Sequence, residues 1–171
     1  VIPEMLLHTY GQTFDFVFAD PPFNIGHGYD IYLDNLQDDE FAKFFCEWIG
    51  HCINCLRPGG VIAINIPDQL VHLTLQTAYA LGLDRIAWVI WHYRFGQCNQ
   101  TNWINSKAHC LIFQLQEVTD LEVVYLPPTF NAAAVMVESD RSSKYGDSRT
   151  FVSNTPGRRL PLDVWGVESD G

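Results

Sequence analysis

Apolar and polar positions follow two different periods along this chain. Phe14-Asp15-Phe16-Val17-Phe18-Ala19 is a short aromatic and β-branched run that stops at Asp20-Pro21-Pro22. Its length and composition predict a buried strand. Neither proline can donate to a ladder, so the strand ends at Asp20. Residues 24–37 are polar and glycine-bearing, which predicts a long loop of the functional or mobile kind. A helical period follows: Phe41, Phe44, Phe45, Trp48, Ile49, Cys52 and Leu56 share one face over residues 39–56. Asp38 is expected to cap that helix, with Asp39 and Glu40 favouring the positive end of its dipole. Arg57-Pro58-Gly59-Gly60 ends it, and residues 61–66 predict the next strand. A second amphipathic helix is expected over 69–81, then strands over 84–92 and 108–115 with a polar loop at 93–107 between them. The Ala/Val run after Thr129-Phe130-Asn131 suggests another short β element, and from Ser139 onward the chain reads as irregular.

Strand, helix, strand, helix, strand predicts an α/β fold: a mostly parallel sheet with flanking helices and right-handed crossovers. The 171 residues suit one domain, and 47% hydrophobic with 18% charged residues supplies an ordinary globular core. The organisation expected is an α/β part at residues 1–116 and an irregular, basic segment at 117–171. No run approaches the roughly 18–20 apolar residues of a membrane helix, so no membrane partner is expected. The net charge of −10 argues against a protein that coats nucleic acid with a basic surface. The basic residues are unevenly placed, however. Lys43, Arg57 and Arg85 are the only ones in residues 1–90, while Arg141, Lys144, Arg149, Arg158 and Arg159 crowd into 141–159. Five cysteines, an odd number, suggest free thiols. Cys52-Ile53-Asn54-Cys55 has no second ligand pair at zinc-finger spacing, so no metal site is expected.

The candidate chemistry sits where the first strand stops. In open α/β sheets ligands bind at the carboxyl ends of strands. A carboxylate (Asp20), a backbone carbonyl (Pro21), a rigid Pro22 and a ring (Phe23) meet there. The amine nitrogen of adenine or cytosine has its lone pair delocalised into the ring and is a poor nucleophile. Two fixed acceptors, one for each N–H, would draw it toward tetrahedral geometry. Phe23 would stack on the base face, worth roughly 1–3 kcal/mol. The composition of the 93–107 loop, with Arg94, Asn99 and Lys107, suits phosphates and base edges.

Phe18-Ala19-Asp20-Pro21-Pro22-Phe23-Asn24-Ile25-Gly26 resembles the catalytic motif of the DNA amino-methyltransferases, which methylate adenine N6 or cytosine N4. Leu56-Arg57-Pro58-Gly59-Gly60, Trp88 to Gly96 and Ser106-Lys107-Ala108-His109 are similar to later blocks of the β class. Ser139 to Arg149 and Gly157 to Trp165 look like its target-recognition segment. The resemblance implies a Rossmann-like methyltransferase fold, S-adenosylmethionine as cofactor, and DNA as partner in a prokaryotic or phage cytoplasm. It makes Asp20, Pro21, Pro22 and Phe23 the catalytic set, with Asp20 and Pro21 on the edge shared with the cofactor. It assigns DNA contacts to Arg94, Asn99, Lys107, Arg141, Lys144, Tyr145, Arg149, Arg158 and Arg159. The class continues with a cofactor half whose strand ends in Asp-Pro-Phe-x-Gly-x-Gly, and that motif is absent here. The expectation is a fold incomplete at its C-terminus, inactive alone, completed by a missing half or a second copy. The alternative is a nucleic-acid-binding relic or partner subunit that does not methylate.

Overall fold

The computed structural model describes residues 14–30, 32–93, 101, 103–119, 122–124, 137–138, 158–159 and 163–166. The expected elements form close to their expected bounds: β1 (Phe14–Ala19), α1 (Asp38–Cys55), β2 (Leu56–Ile66), α2 (Val71–Ala80), β3 (Leu83–His92) and β4 (Lys107–Leu115). A 3-10 turn at Asp68–Leu70 leads into α2. Gln37, not Asp38, holds the cap position of α1 and makes no side-chain cap bond. Asp38 is the first helical residue, where its charge still faces the positive end of the dipole. Short pairs follow: β5 (Glu117–Thr119) with β6 (Glu122–Val124), and β7 (Val137–Glu138) with β8 (Arg158–Arg159). The stretch at 129–131 lies outside the described residues.

The main sheet has the order β1-β2-β4-β3-β9, where β9 is Val164–Trp165. β1 pairs parallel with β2, and β3 parallel with β9, while β4 is antiparallel to both its neighbours. Four strands therefore share a direction, three of them joined by helical crossovers, but β2 and β3 are not neighbours. β4 inserts antiparallel between them, which makes the sheet mixed. Burial explains the choice. β4 is buried on both faces, from His109 to Leu111 and again at Phe113 and Gln114, whereas β3 leaves Arg85, Ile86 and Trp91 exposed. The strand that can be covered on both faces takes the central place.

Register sorts the side chains into two layers. Val17 and Ala19 align with Ile62 and Ile64, and these with Phe113 and Leu111. Phe41, Phe45, Trp48 and Ile49 of α1, together with Ala78 of α2, pack in one buried cluster with this face. Cys52 and Cys55 are buried on the inner side of α1. Burial, with Cys55 beside it, pushes the Cys52 thiol up to about 11, so it stays protonated at neutral pH. On the opposite face Ala63, Val89 and Cys110 form a smaller cluster, and Phe16 and Phe18 of β1 stand exposed. Leu56 joins β2 rather than α1, and the strand bulges between Leu56 and Val61. Gly60 lies in that bulge. A Cβ there would meet the Arg57 carbonyl at 2.8 Å and the Phe14 carbonyl at 3.2 Å.

Two compact units result: residues 1–128 with 164–171, which carry the five-stranded sheet, and residues 129–163, which contain β7 and β8.

Candidate functional site

The carboxyl ends of β1 and β2 lie side by side, and β4, running the other way, begins at the same edge. Asp20 follows β1 directly, and Pro21 to Asn24 follow half-buried. The parallel register Ala19↔Ile64 places Asn65 of β2 beside Asp20. Asn65 is 7% exposed, and its side chain donates from Nδ2 to Asp20 Oδ1 at 3.1 Å. That bond fixes one oxygen of a carboxylate that is otherwise exposed. The four residues Asp20 to Phe23 are thus brought to one strand end, as the sequence leads one to expect. The sequence reading does not single out Asn65. Its only trace there is a polar residue interrupting the apolar run 61–66.

One strand over, Asp68 follows the end of β2. Lys107 Nζ donates to both of its oxygens at 2.6 Å. Trp88 Nε1 donates to His109 Nδ1 at 2.9 Å, so the His109 proton sits on Nε2 and is directed at Asp68 Oδ1. Burial works against the Asp68 charge, but Lys107 and His109 outweigh it and hold the carboxyl below its ordinary range. Tyr93 closes the same edge: its N–H donates to the Ser106 carbonyl at 2.9 Å and its hydroxyl to the Lys107 carbonyl at 3.1 Å. A cavity of about 520 Å³ lies between Asp68 and Gln69 on one side and residues 103–107 on the other. Its walls carry amide, hydroxyl and indole groups.

The expected DNA contacts divide. Arg94, Asn99, Arg141, Lys144, Tyr145 and Arg149 lie outside the described residues. Arg158 and Arg159 form β8, paired through the backbone with β7. Lys107 lines the cavity with its ammonium engaged by Asp68. Among the described residues no group of three or more His, Cys, Asp or Glu side chains converges as a metal site would require, and no helix is long and apolar enough to cross a membrane.

The family model described as DNA methylase, for the N6/N4 enzymes, matches residues 14–170. The DNA adenine methyltransferase YhdJ of Escherichia coli (strain K12) is 23% identical over 162 residues, spanning 90% of this chain and 51% of that protein. The type II methyltransferase M.BamHI of Bacillus amyloliquefaciens is 30% identical over 95 residues, 54% of this chain and 22% of that protein. The chain thus spans about half or less of the length of these relatives. Two solved structures share the fold. TTHA0409 of Thermus thermophilus, complexed with S-adenosyl-L-methionine, superposes with a TM-score of 0.53 at 18% identity, over 77% of this chain and 55% of that one. The cytosine-N4-specific PvuII DNA methyltransferase does so with 0.52 at 12% identity, over 65% and 45%. With the family model running through sheet, site and basic segment alike, the chain belongs to the N6/N4 DNA methylases.

Proposed function

We propose that the protein methylates an exocyclic amine of DNA, adenine N6 or cytosine N4, with S-adenosylmethionine as donor. The observation that carries this reading is the Asn65–Asp20 hydrogen bond at the mouth of the Pro21-Pro22 turn. It holds one oxygen of an exposed carboxylate in place. The other oxygen accepts one amine N–H, and the Pro21 carbonyl accepts the other. Both acceptors are fixed before the base arrives, which is where their catalytic advantage lies. Phe23 stacks on the base, and the base must leave the duplex to reach the turn.

The donor set fits a cationic methyl donor on its other side: the Asp20 carboxylate and the Pro21 carbonyl present negative charge at the edge a sulfonium would share. When bound, S-adenosylmethionine supplies an electrophilic methyl group. The residues of this chain hold and orient the amine. Arg94, Asn99, Lys107, Arg141, Lys144, Tyr145, Arg149, Arg158 and Arg159 are proposed DNA contacts, because cations and amides suit phosphates and base edges. DNA as substrate implies work in the cytoplasm of a prokaryotic or phage-infected cell. The exposed rings of Phe16 and Phe18 suit packing against a second copy or a further segment.

The test is transfer of a labelled methyl group from S-adenosylmethionine to unmethylated DNA by this chain, alone and with a cofactor half carrying the Asp-Pro-Phe-x-Gly-x-Gly motif supplied, followed by nucleoside mass spectrometry. N6-methyladenine or N4-methylcytosine is expected, with Asp20→Ala lowering turnover by about a hundredfold or more. Full activity in that variant would remove Asp20 from the mechanism.

A further inference from the structure

The loop after Phe23 is held by one carboxylate. Asp34 is 3% exposed and accepts from the backbone N–H groups of Asn24 at 2.8 Å, Ile25 at 3.0 Å and His27 at 2.9 Å. Its own carbonyl accepts from the Gly26 N–H at 2.6 Å. Asn24 closes the segment from the other end. It sits at φ 58°, a left-handed conformation that asparagine tolerates better than most residues. Its Nδ2 donates to the Leu36 carbonyl at 2.9 Å, and its Oδ1 accepts from the Leu36 N–H at 2.7 Å. A row of rings then docks the loop on α1: His27 with Tyr29 at 4.7 Å, Tyr29 with Tyr32 at 6.0 Å, and Tyr32 with Phe44 at 5.5 Å.

Converging backbone N–H groups of this kind form an anion-binding nest, here filled by the chain's own carboxylate. The nest begins one residue after Phe23. We propose that Asp34 is a positioning residue for the Asp20–Phe23 turn, fixing through these amides where the Pro21 carbonyl and the Phe23 ring stand. Its catalytic consequence rests on the amine-methylation reading above. Asp34 supplies no acceptor to the base. It acts by removing alternative conformations from the turn, so that both acceptors meet the amine already aligned. Such alignment raises turnover and leaves the binding of remote parts of the DNA untouched.

The experiment compares Asp34→Asn, Asp34→Glu and the parent protein in two measurements. The first is amide hydrogen exchange at Phe23, Asn24, Ile25 and His27, referenced to Ile62 and Ile64 in the sheet. The second is methyl transfer to unmethylated DNA, with kcat and KM resolved. In Asp34→Asn a side-chain N–H₂ faces backbone donors. Exchange at the four amides should rise about tenfold or more with the sheet unchanged, and kcat should fall about tenfold with KM for DNA within about twofold. Asp34→Glu keeps the charge and should recover part of kcat. Unchanged exchange at Phe23, or a loosened loop with unchanged kcat, overturns the proposal. If the parent protein transfers no methyl group either alone or with a cofactor half supplied, the methylation reading falls, and exchange at Phe23 alone decides whether Asp34 positions the turn.

Discussion

Asp34 and Asp68 stand on neighbouring loops at the same edge of the sheet, and both carboxyls are held below the ordinary carboxylate range by opposite means. Asp34 is buried. Burial penalises its charge, but the His27, Ile25 and Asn24 amides more than offset that, with the His27 ring adding to them. Asp68 has a side chain 45% exposed, and its partners are other side chains, Lys107 and His109. A carboxylate bound by backbone amides fixes a chain conformation. One bound by an ammonium and an imidazole sets the charge and hydrogen-bonding character of a cavity wall and remains open to solvent. The contrast separates a loop that holds the turn still from a wall that meets whatever enters the cavity.

The largest effect on stability should come from Asp34→Ala. It leaves three backbone N–H groups without their acceptor in a part-buried place, a loss of about 3 kcal/mol. Urea unfolding checks this as a lower midpoint at unchanged m-value. A loss below about 1 kcal/mol would mean that the rings between Tyr29 and Phe44 hold the loop without it.

Acid titration should produce the next effect. Both folded carboxyls lie below the ordinary value of 3.8. Their contributions are therefore fully present above that value and are lost as pH falls through the lower folded values. Asp34→Asn and Asp68→Asn, which cannot titrate there, should each flatten the acid limb of stability against pH. Raised salt should weaken the Asp68 contribution and leave that of Asp34 nearly unchanged, because only the former depends on exposed charge pairs.

Trp88→Phe removes the donor to His109 Nδ1 and should cost about 1 kcal/mol. Nitrogen NMR of the imidazole should then show the His109 proton no longer confined to Nε2; an unaltered tautomer would assign that control to Asp68 alone. The smallest change is expected for Lys107→Ala. Its half-exposed ion pair is worth under about 1 kcal/mol and should fade further in high salt, as thermal unfolding would register.

Much of this site was legible along the chain. Pro21 and Pro22 stop β1 at Asp20 by removing two donors, and no tertiary fact is needed to see it. The spacing of Phe41, Phe45, Trp48, Ile49 and Cys52 marks the buried side of α1 for the same kind of reason. The loop at 24–37 reads as polar and long, but its rigidity does not show. Asp30, Asp34, Asp38 and Asp39 look alike in sequence, and only the fold carries one of them into a nest of amides. His109 shows as a lone histidine in an apolar strand, while its partner Asp68 lies 41 positions away.

Periodicity, proline chemistry and glycine placement are local properties, and they determined the elements from β1 to β4, their order and the end of the strand that leads to Asp20, but not the short strands β8 and β9 in the stretch after Ser139 that reads as irregular. What the tertiary structure alone decided was pairing. It inserted β4 between β2 and β3, where both of its faces are covered. It also set the register that brings Asn65 against Asp20 across 45 positions. Those choices depend on which strand loses most water-exposed apolar surface by taking the centre, and that comparison among whole elements is written in no single stretch of the chain.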